Sequence, residues 1–149
     1  MKGKILVTAQ FMLLGLLALT PNQSDSLEAL KILSVVLLVC ATLLLIKSFR
    51  DLGDALTPLP ESKEGASLVT SGIYRYLRHP IYSALFILAA GLVFWKQSTQ
   101  SFTVSVLLIG LLVYKSKYED SLLIKKFPEA AQYQQTTPSF LPHLKKGKI

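Results

Sequence analysis

Four apolar blocks separated by polar segments limit the folds open to this chain more than any other feature. They cover Ile5–Leu19, Ile32–Ile46, Ile81–Trp95 and Phe102–Tyr114, and none contains Asp, Glu, Lys, Arg or His. Each block is shorter than the roughly 20 residues that cross a bilayer, but its flanks can lengthen it. Hydrophobic residues make up 51% of the chain and charged residues only 17%, which is unusual for a soluble domain. The sequence therefore predicts an all-α polytopic membrane protein with about four transmembrane helices and a C-terminal cytoplasmic helical extension.

Basic residues are distributed very unevenly between the two sides of these spans. If all four blocks cross the membrane, Lys31 and Lys96 fall on one side and the remaining basic residues on the other. The richer side contains Lys2, Lys4, Lys47, Arg50, Lys63, Arg75, Arg78, Lys115, Lys117, Lys125, Lys126, Lys145, Lys146 and Lys148. The positive-inside rule assigns that side to the cytoplasm. Both termini are therefore expected in the cytoplasm, with the protein in the inner membrane if the organism is bacterial.

The whole chain, residues 1–149, is expected to form a single integral membrane domain. Residues 1–50 would form two spans, residues 51–80 a cytoplasmic loop and residues 81–114 a helical hairpin, with residues 115–149 completing the site. No small-residue cleavage pattern follows the first block, so we interpret it as a retained span rather than a signal peptide. The net charge of +7 is explained by topology, and no nucleic-acid partner is expected. The single cysteine, Cys40, excludes an internal disulfide.

Polar residues that could bind a ligand or take part in a reaction precede the third block. Pro80 suits the first position of a helix because its missing N–H is not needed there. His79 and Tyr82 are three residues apart and would share one helix face. A helix N-terminus favours an anion, such as a carboxylate, and Arg75 and Arg78 would strengthen this preference.

A second polar group follows the fourth block. If that helix continues, Lys115 and Glu119 form an i,i+4 pair on one face. Glu119 could accept hydrogen bonds from an amine or from ribose hydroxyls, and Lys115 could hold an acidic group. The hairpin would bring Glu119 and His79 to the same membrane surface, although they are some forty residues apart in sequence.

The order of these motifs resembles the isoprenylcysteine carboxyl methyltransferase family and its small prokaryotic relatives. The resemblance covers about Leu68 to Pro142 and is most specific at Arg78-His79-Pro80-Ile81-Tyr82. The acidic pair Glu119-Asp120 and the tail Thr137-Pro138-Ser139-Phe140-Leu141-Pro142 continue it.

The resemblance implies a membrane-embedded, cytoplasm-facing site for S-adenosylmethionine and a small lipophilic methyl acceptor that arrives from the membrane lipid through a gap between helices. Carried over by motif, the cofactor-binding residues are Leu68, Val69, Tyr74, His79, Pro80, Ile81, Tyr82 and Glu119. Lys115, Arg75 and Arg78 are the candidate substrate-binding residues. Lys115 stands where family members that methylate prenylcysteine carry arginine, and Ser83 and Ala84 stand where the family usually has glycine.

Methyl transfer by in-line displacement depends mainly on positioning. No catalytic residue or metal is therefore assigned, and the cofactor's positive charge would be stabilised by the ring of Tyr74 or Tyr82. The acceptor could be a prenylcysteine-like or other lipid carboxylate, a thiol or a phenol. The main alternative is a non-catalytic four-span scaffold or subunit. A transporter would require an ionisable residue deep within a span, and a nicotinamide-dependent lipid reductase is a more distant alternative.

Overall fold

In a computed structural model the chain forms five α-helices, and the structure describes residues 1–23, 27–61, 65 and 67–142. The helices are α1 (Lys2–Leu19), α2 (Glu28–Leu52), α3 (Pro80–Lys96), α4 (Thr99–Lys126) and α5 (Ala130–Thr136). Two 3₁₀ turns, Gly53–Ala55 and Gly72–Arg75, lie between α2 and α3. The described residues include no strand, which confirms the all-helical class. Of the basic residues used to predict orientation, Lys63, Lys145, Lys146 and Lys148 lie outside the described residues.

In the described part of the chain, three helices are long and apolar enough to cross a membrane: α1, α2 together with the turn that follows it, and α4. The fourth apolar helix, α3, has 17 residues, and at about 1.5 Å per residue it is slightly shorter than the roughly 30 Å hydrocarbon core. Large apolar side chains such as Val36, Val39 and Leu43 are exposed on the outer face of α2. Lipid is the solvent that suits such a surface. The protein is therefore an integral membrane protein.

The bundle consists mainly of two packed pairs, α2 along α3 and α1 along α4. In the first pair, the backbones approach closely at Gly91, where an added Cβ would lie 3.0 Å from the Leu38 side chain. There the hydroxyl of Ser34 donates a hydrogen bond of 2.7 Å to the Gly91 carbonyl. Small residues allow such close packing in membranes, and hydroxyl bonds add to it. Leu108 and Leu112 of α4 are fully buried in the core between the pairs.

The connections between α1 and α2 and between α3 and α4 meet at one end of the bundle, the turn end (residues 20–23, 27 and 96–99). The side-chain amide of Gln97 accepts from the Leu27 N–H at 3.0 Å and donates to the Leu27 carbonyl at 3.2 Å. The Lys96 ammonium donates to the Thr20 carbonyl at 2.5 Å. The start of α1 and the end of α4 consequently lie at the opposite end, the site end.

Two helices extend beyond their apolar blocks. Helix α2 continues past its apolar block to Leu52, and in this extension Lys47 and Asp51 form an i,i+4 ion pair. Helix α4 continues beyond residue 114 as far as Lys126. Hydropathy detects only the part of a helix that lies in lipid. The predicted ends of the spans therefore coincide with the ends of the apolar blocks and not with the ends of the helices. The extension of α4 matters because it brings its acidic pair to the site.

Candidate functional site

A cavity of about 460 Å³ lies at the site end of the bundle. Residues of α1, α2, α3, α4 and the loop between α2 and α3 all contribute to its walls. Apolar wall residues include Phe11, Leu14, Leu45, Phe49, Leu56, Leu59, Leu68, Val69, Ile81, Leu85 and Leu123. The polar residues that line it are Gln10, Thr57, Ser67, Tyr74, Arg78, His79, Tyr82, Lys115, Glu119 and Tyr133. An apolar cavity of this size with a few converging polar groups is typical of a small-molecule site.

A hydrogen-bonded cluster joins the start of α3 to the acidic pair of α4. The Tyr82 hydroxyl donates to Glu119 Oε1 at 2.5 Å, and the His79 and Tyr82 rings are stacked with their centroids 5.4 Å apart. His79 Nε2 lies 2.9 Å from Asp120 Oδ1, and Nδ1 lies 3.5 Å from Glu119 Oε2. The Glu119 carboxylate is thus held at the cavity wall in one orientation.

The charge of His79 is set by the same two carboxylates. Burial lowers the pKa of His79, but its hydrogen bonds to Asp120 and then to Glu119 outweigh that effect and raise the pKa above its ordinary value. A protonated imidazole can donate from both ring nitrogens, which matches an acceptor on each side. His79 therefore lies between the carboxylates of Glu119 and Asp120, and both favour the protonated form of its ring.

Arg78 is bound by the protein itself. Its guanidinium donates to Asp120 Oδ2 at 2.6 Å and to the Ser139 hydroxyl at 2.7 Å. The N–H groups of Arg78 and His79 donate to the carbonyls of Pro138 and Ser139 at 2.9 and 3.0 Å. At these two N–H groups, carbonyl oxygens of the C-terminal tail occupy the position that the sequence predicted for an anion. The reason is that residues 137–142 fold back onto α3, which local sequence spacing does not reveal.

Lys115 and Glu119 both line the cavity from α4, but they form no salt bridge with each other. The Lys115 ammonium donates to the Gln10 side-chain oxygen at 2.8 Å and to the Pro58 carbonyl at 3.1 Å. The same ammonium lies 5.3 Å from the centre of the Tyr82 ring. Lys115 is only 3% exposed and turns towards α1 and the loop because these elements surround it, while Glu119 is engaged by α3.

Tyr74 presents a hydroxyl that no described residue satisfies. It is buried in the 3₁₀ turn before α3, its oxygen has no hydrogen-bond partner among the described residues, and it lines the cavity. Burial raises the pKa of Tyr74 above its usual value, so the hydroxyl stays neutral and can donate. Buried polar atoms are nearly always paired. A hydroxyl that lacks a partner among the described residues and lines a cavity can therefore bond to a ligand there. The Tyr82 ring is already contacted by His79 and Lys115, so Tyr74 is the better candidate to meet a cationic ligand.

The structure brings most of the residues predicted for the site to one cavity. Those that line it are Leu68, Val69, Tyr74, Arg78, His79, Pro80, Ile81, Tyr82, Lys115 and Glu119. Arg75 does not line it and is exposed, although it is only three residues from Arg78. The chain turns between the two arginines, because the 3₁₀ turn ends at Arg75.

No role was predicted from the sequence for three residues that the structure places at the site. Asp120 supports His79 and Arg78, and Gln10 binds Lys115 from α1. The Tyr133 hydroxyl donates to the Tyr74 carbonyl at 2.5 Å and fixes the 3₁₀ turn against α5. Gln10 gave one signal that could have been used, since it is a lone amide within an apolar span.

Known proteins are similar in sequence to about half of this chain. A nickel-cobalt-cadmium resistance protein of Alcaligenes xylosoxydans xylosoxydans is 36% identical over 86 residues, 55% of this chain and 39% of that protein. A cobalt-zinc-cadmium resistance protein of Cupriavidus metallidurans is 36% identical over 84 residues, 55% of this chain and 38% of that protein. The protein-S-isoprenylcysteine O-methyltransferase of Schizosaccharomyces pombe is 37% identical over 81 residues, 50% of this chain and 33% of that protein.

The chain thus spans about two fifths or less of the length of these curated relatives. The sequence model of the family described as phospholipid methyltransferase matches residues 30–130, which include α2, α3, α4 and the acidic pair. The resemblance inferred from the motifs is confirmed by this match and by the isoprenylcysteine relative. The chain belongs to the phospholipid methyltransferase family.

Proposed function

We propose that this protein is a membrane methyltransferase that uses S-adenosylmethionine to methylate a lipophilic acceptor, with a carboxylate as the favoured acceptor group. One observation carries the proposal. Within an apolar cavity, a fixed carboxylate, Glu119, and a buried ammonium, Lys115, stand one helical turn apart on α4. Such a pair can receive a cationic donor and an anionic acceptor side by side.

The residues at the cavity suit S-adenosylmethionine. A cavity of about 460 Å³ falls within the roughly 300–1,000 Å³ of small-molecule sites. Glu119 would accept from ribose hydroxyls or from the amino group, and the unpartnered Tyr74 hydroxyl would donate to the cofactor. The Tyr74 ring could also face the sulfonium, an arrangement worth about 0.5–2 kcal/mol.

The acceptor would enter from the bilayer between α1 and α2. Phe11 of α1 and Phe49 of α2 both line the cavity, yet they are 58% and 43% exposed. They therefore mark a place where the cavity meets the outer, lipid-facing surface. α1 and α2 belong to different packed pairs, which favours an opening between them.

The chemistry requires little of the protein beyond positioning. When bound, S-adenosylmethionine supplies a methyl group already activated by its sulfonium. A carboxylate oxygen of the acceptor would bond to the methyl carbon as the C–S bond breaks, giving an ester and a neutral thioether, so no proton has to move. Lys115 would hold the acceptor oxygen in line, and alignment of this kind is worth about 7–11 kcal/mol. His79, Asp120 and Arg78 would support Glu119 rather than react.

Orientation follows from charge. Among the described residues, the turn end contains Lys31 and Lys96, whereas the site end contains Lys2, Lys4, Lys47, Arg50, Arg75, Arg78, Lys115, Lys117, Lys125 and Lys126. The positive-inside rule then supports a site that opens to the cytoplasm, with both termini on that side.

The test uses the full chain purified in detergent. S-Adenosylmethionine is titrated by calorimetry, and then methyl-labelled cofactor is mixed with N-acetyl-S-farnesylcysteine, whose carboxylate is the probe acceptor. Base-labile label in the extracted product measures ester formation. The amide of the same probe lacks an acceptor carboxylate and is the matched control. Binding together with carboxylate-dependent ester formation is expected.

Absence of S-adenosylmethionine binding by the parent protein would overturn the enzyme proposal and favour the scaffold alternative. Binding accompanied by transfer to a thiol probe, but not to the carboxylate, would retain the enzyme and reject the carboxylate class. The two parts of the proposal are thus tested separately.

A further inference from the structure

Gln10 is a buried amide within the apolar block of α1. It lies near the middle of α1 (Lys2–Leu19), it is 8% exposed, and it lines the cavity. Polar side chains inside a membrane span are costly and usually serve function. Helix α1 also lies before the region that the family model matches, residues 30–130, so the match assigns Gln10 no role.

The bond to Lys115 defines how the amide is oriented. Lysine has only donors, so the Gln10 oxygen must be the atom that accepts from the ammonium at 2.8 Å. The amide nitrogen of Gln10 has no hydrogen bond to any residue that the structure describes. Gln10 therefore retains two N–H donors at the cavity wall.

The ammonium of Lys115 is also incompletely used. It has three N–H groups, of which one donates to Gln10 and one to the Pro58 carbonyl. In the described part of the chain, no Asp or Glu carboxylate lies within salt-bridge distance of it. A buried cation without an anionic partner is costly. Both Lys115 and Gln10 can therefore donate to an anion in the cavity.

We propose that Gln10 is a specificity-determining residue of the acceptor site, which with Lys115 forms a two-point donor for a planar carboxylate. A lysine ammonium is a point charge without the planar fork that matches a carboxylate. The amide N–H of Gln10 supplies the second, directional donor, while the amide oxygen holds the ammonium beside it. This inference rests on the proposed function, since it selects among the acceptors of the same cavity.

The pair also predicts discrimination between acceptor groups. A carboxylate offers two oxygens that can accept from Gln10 and Lys115 together. A thiolate offers a single acceptor atom and gains less from the second donor. Loss of Gln10 should therefore reduce the preference for a carboxylate over a thiol probe.

The experiment compares the full-length parent in detergent with Gln10→Met, which keeps the length of the side chain and removes both polar atoms. Binding of N-acetyl-S-farnesylcysteine is measured by calorimetry in the presence and absence of S-adenosylmethionine, and KM and kcat are measured for methyl transfer. The probe Kd and KM should rise about tenfold, as expected for the loss of a hydrogen bond to a charged group. The Kd of S-adenosylmethionine and kcat should stay within about twofold. Thr8→Val, an exposed change in the same helix, is the matched control and should behave as the parent does.

Gln10→Glu provides a second variant should Gln10→Met fail to fold. It can still accept from Lys115, but it replaces the donor with a negative charge, so the affinity for the carboxylate probe should fall further than in Gln10→Met. Equal affinity of the parent and both variants for the probe, with S-adenosylmethionine binding intact, would overturn this inference alone. A parent that binds no S-adenosylmethionine would instead overturn the proposed function.

Discussion

The hydroxyl of Tyr82 donates a 2.5 Å hydrogen bond to the carboxylate of Glu119. This bond joins the first turn of α3 to a part of α4 that continues beyond its apolar block. Because the hydroxyl holds one carboxylate oxygen while His79 faces the other, Glu119 has little freedom to rotate. Preorganisation of this kind reduces the ordering cost when a ligand binds.

Replacing Glu119 with glutamine should weaken binding of S-adenosylmethionine. The change keeps the size of the side chain but removes the charge that a cationic ligand would meet. Hydrogen bonds to charged groups are worth about 1.5–3 kcal/mol, so the Kd should rise roughly 10–100-fold. Calorimetry measures this, and Glu129→Gln, an exposed residue before α5, is the control. Equal weakening by both variants would indicate a general charge effect instead.

Arg78 and Arg75 should differ in their effect on stability. Arg78→Met leaves an Asp120 oxygen without its 2.6 Å partner and releases the Ser139 hydroxyl, which should cost about 1–3 kcal/mol. Arg75→Met removes an exposed side chain and should change stability by less than about 0.5 kcal/mol. Thermal unfolding in detergent compares the two. Similar unfolding midpoints would show that the contacts of Arg78 contribute no net stability.

The contribution of His79 should depend on pH. Its pKa in the folded protein is raised above the ordinary 6.5, so the folded state binds the proton more tightly than the unfolded state. The resulting stability is fully present below about pH 6.5 and is lost as pH rises through the higher folded pKa. The difference in thermal midpoint between the parent and His79→Gln should therefore shrink towards alkaline pH. A difference that grows with pH would mean that the neutral imidazole is the stabilising form.

Phe140 should anchor the returning tail, whereas Leu141 should not. The Phe140 ring lies 5.1 Å from Phe86 and 5.9 Å from His79, measured between centroids, and the Phe140 carbonyl accepts from Ser83. Phe140→Ala should cost about 2 kcal/mol, less than the ~3–5 kcal/mol of a fully buried phenylalanine. Leu141 is 79% exposed, so Leu141→Ala is the control. Protease cleavage of the tail and thermal unfolding would both report the difference, and equal results would exclude an anchoring role.

The amino-acid sequence by itself determined the membrane class and the local arrangement of the site. Apolar blocks without charged residues must be surrounded by lipid or by other apolar side chains. In lipid, the backbone N–H and C=O groups of each block have to bond to one another, which favours helices. The spacing of His79 and Tyr82 places both on one face of any helix that starts at Pro80. These features could be predicted because they depend on neighbours within one helix.

Only the tertiary structure decided which polar groups meet. Lys115 is four residues from Glu119, yet it binds Gln10, which is 105 residues away in sequence. Arg78 and Arg75 are equally basic, but only Arg78 is reached by Asp120 and by the tail. The partner of a long side chain is set by the helices and loops that surround it after packing, and helical periodicity contains no information about those neighbours.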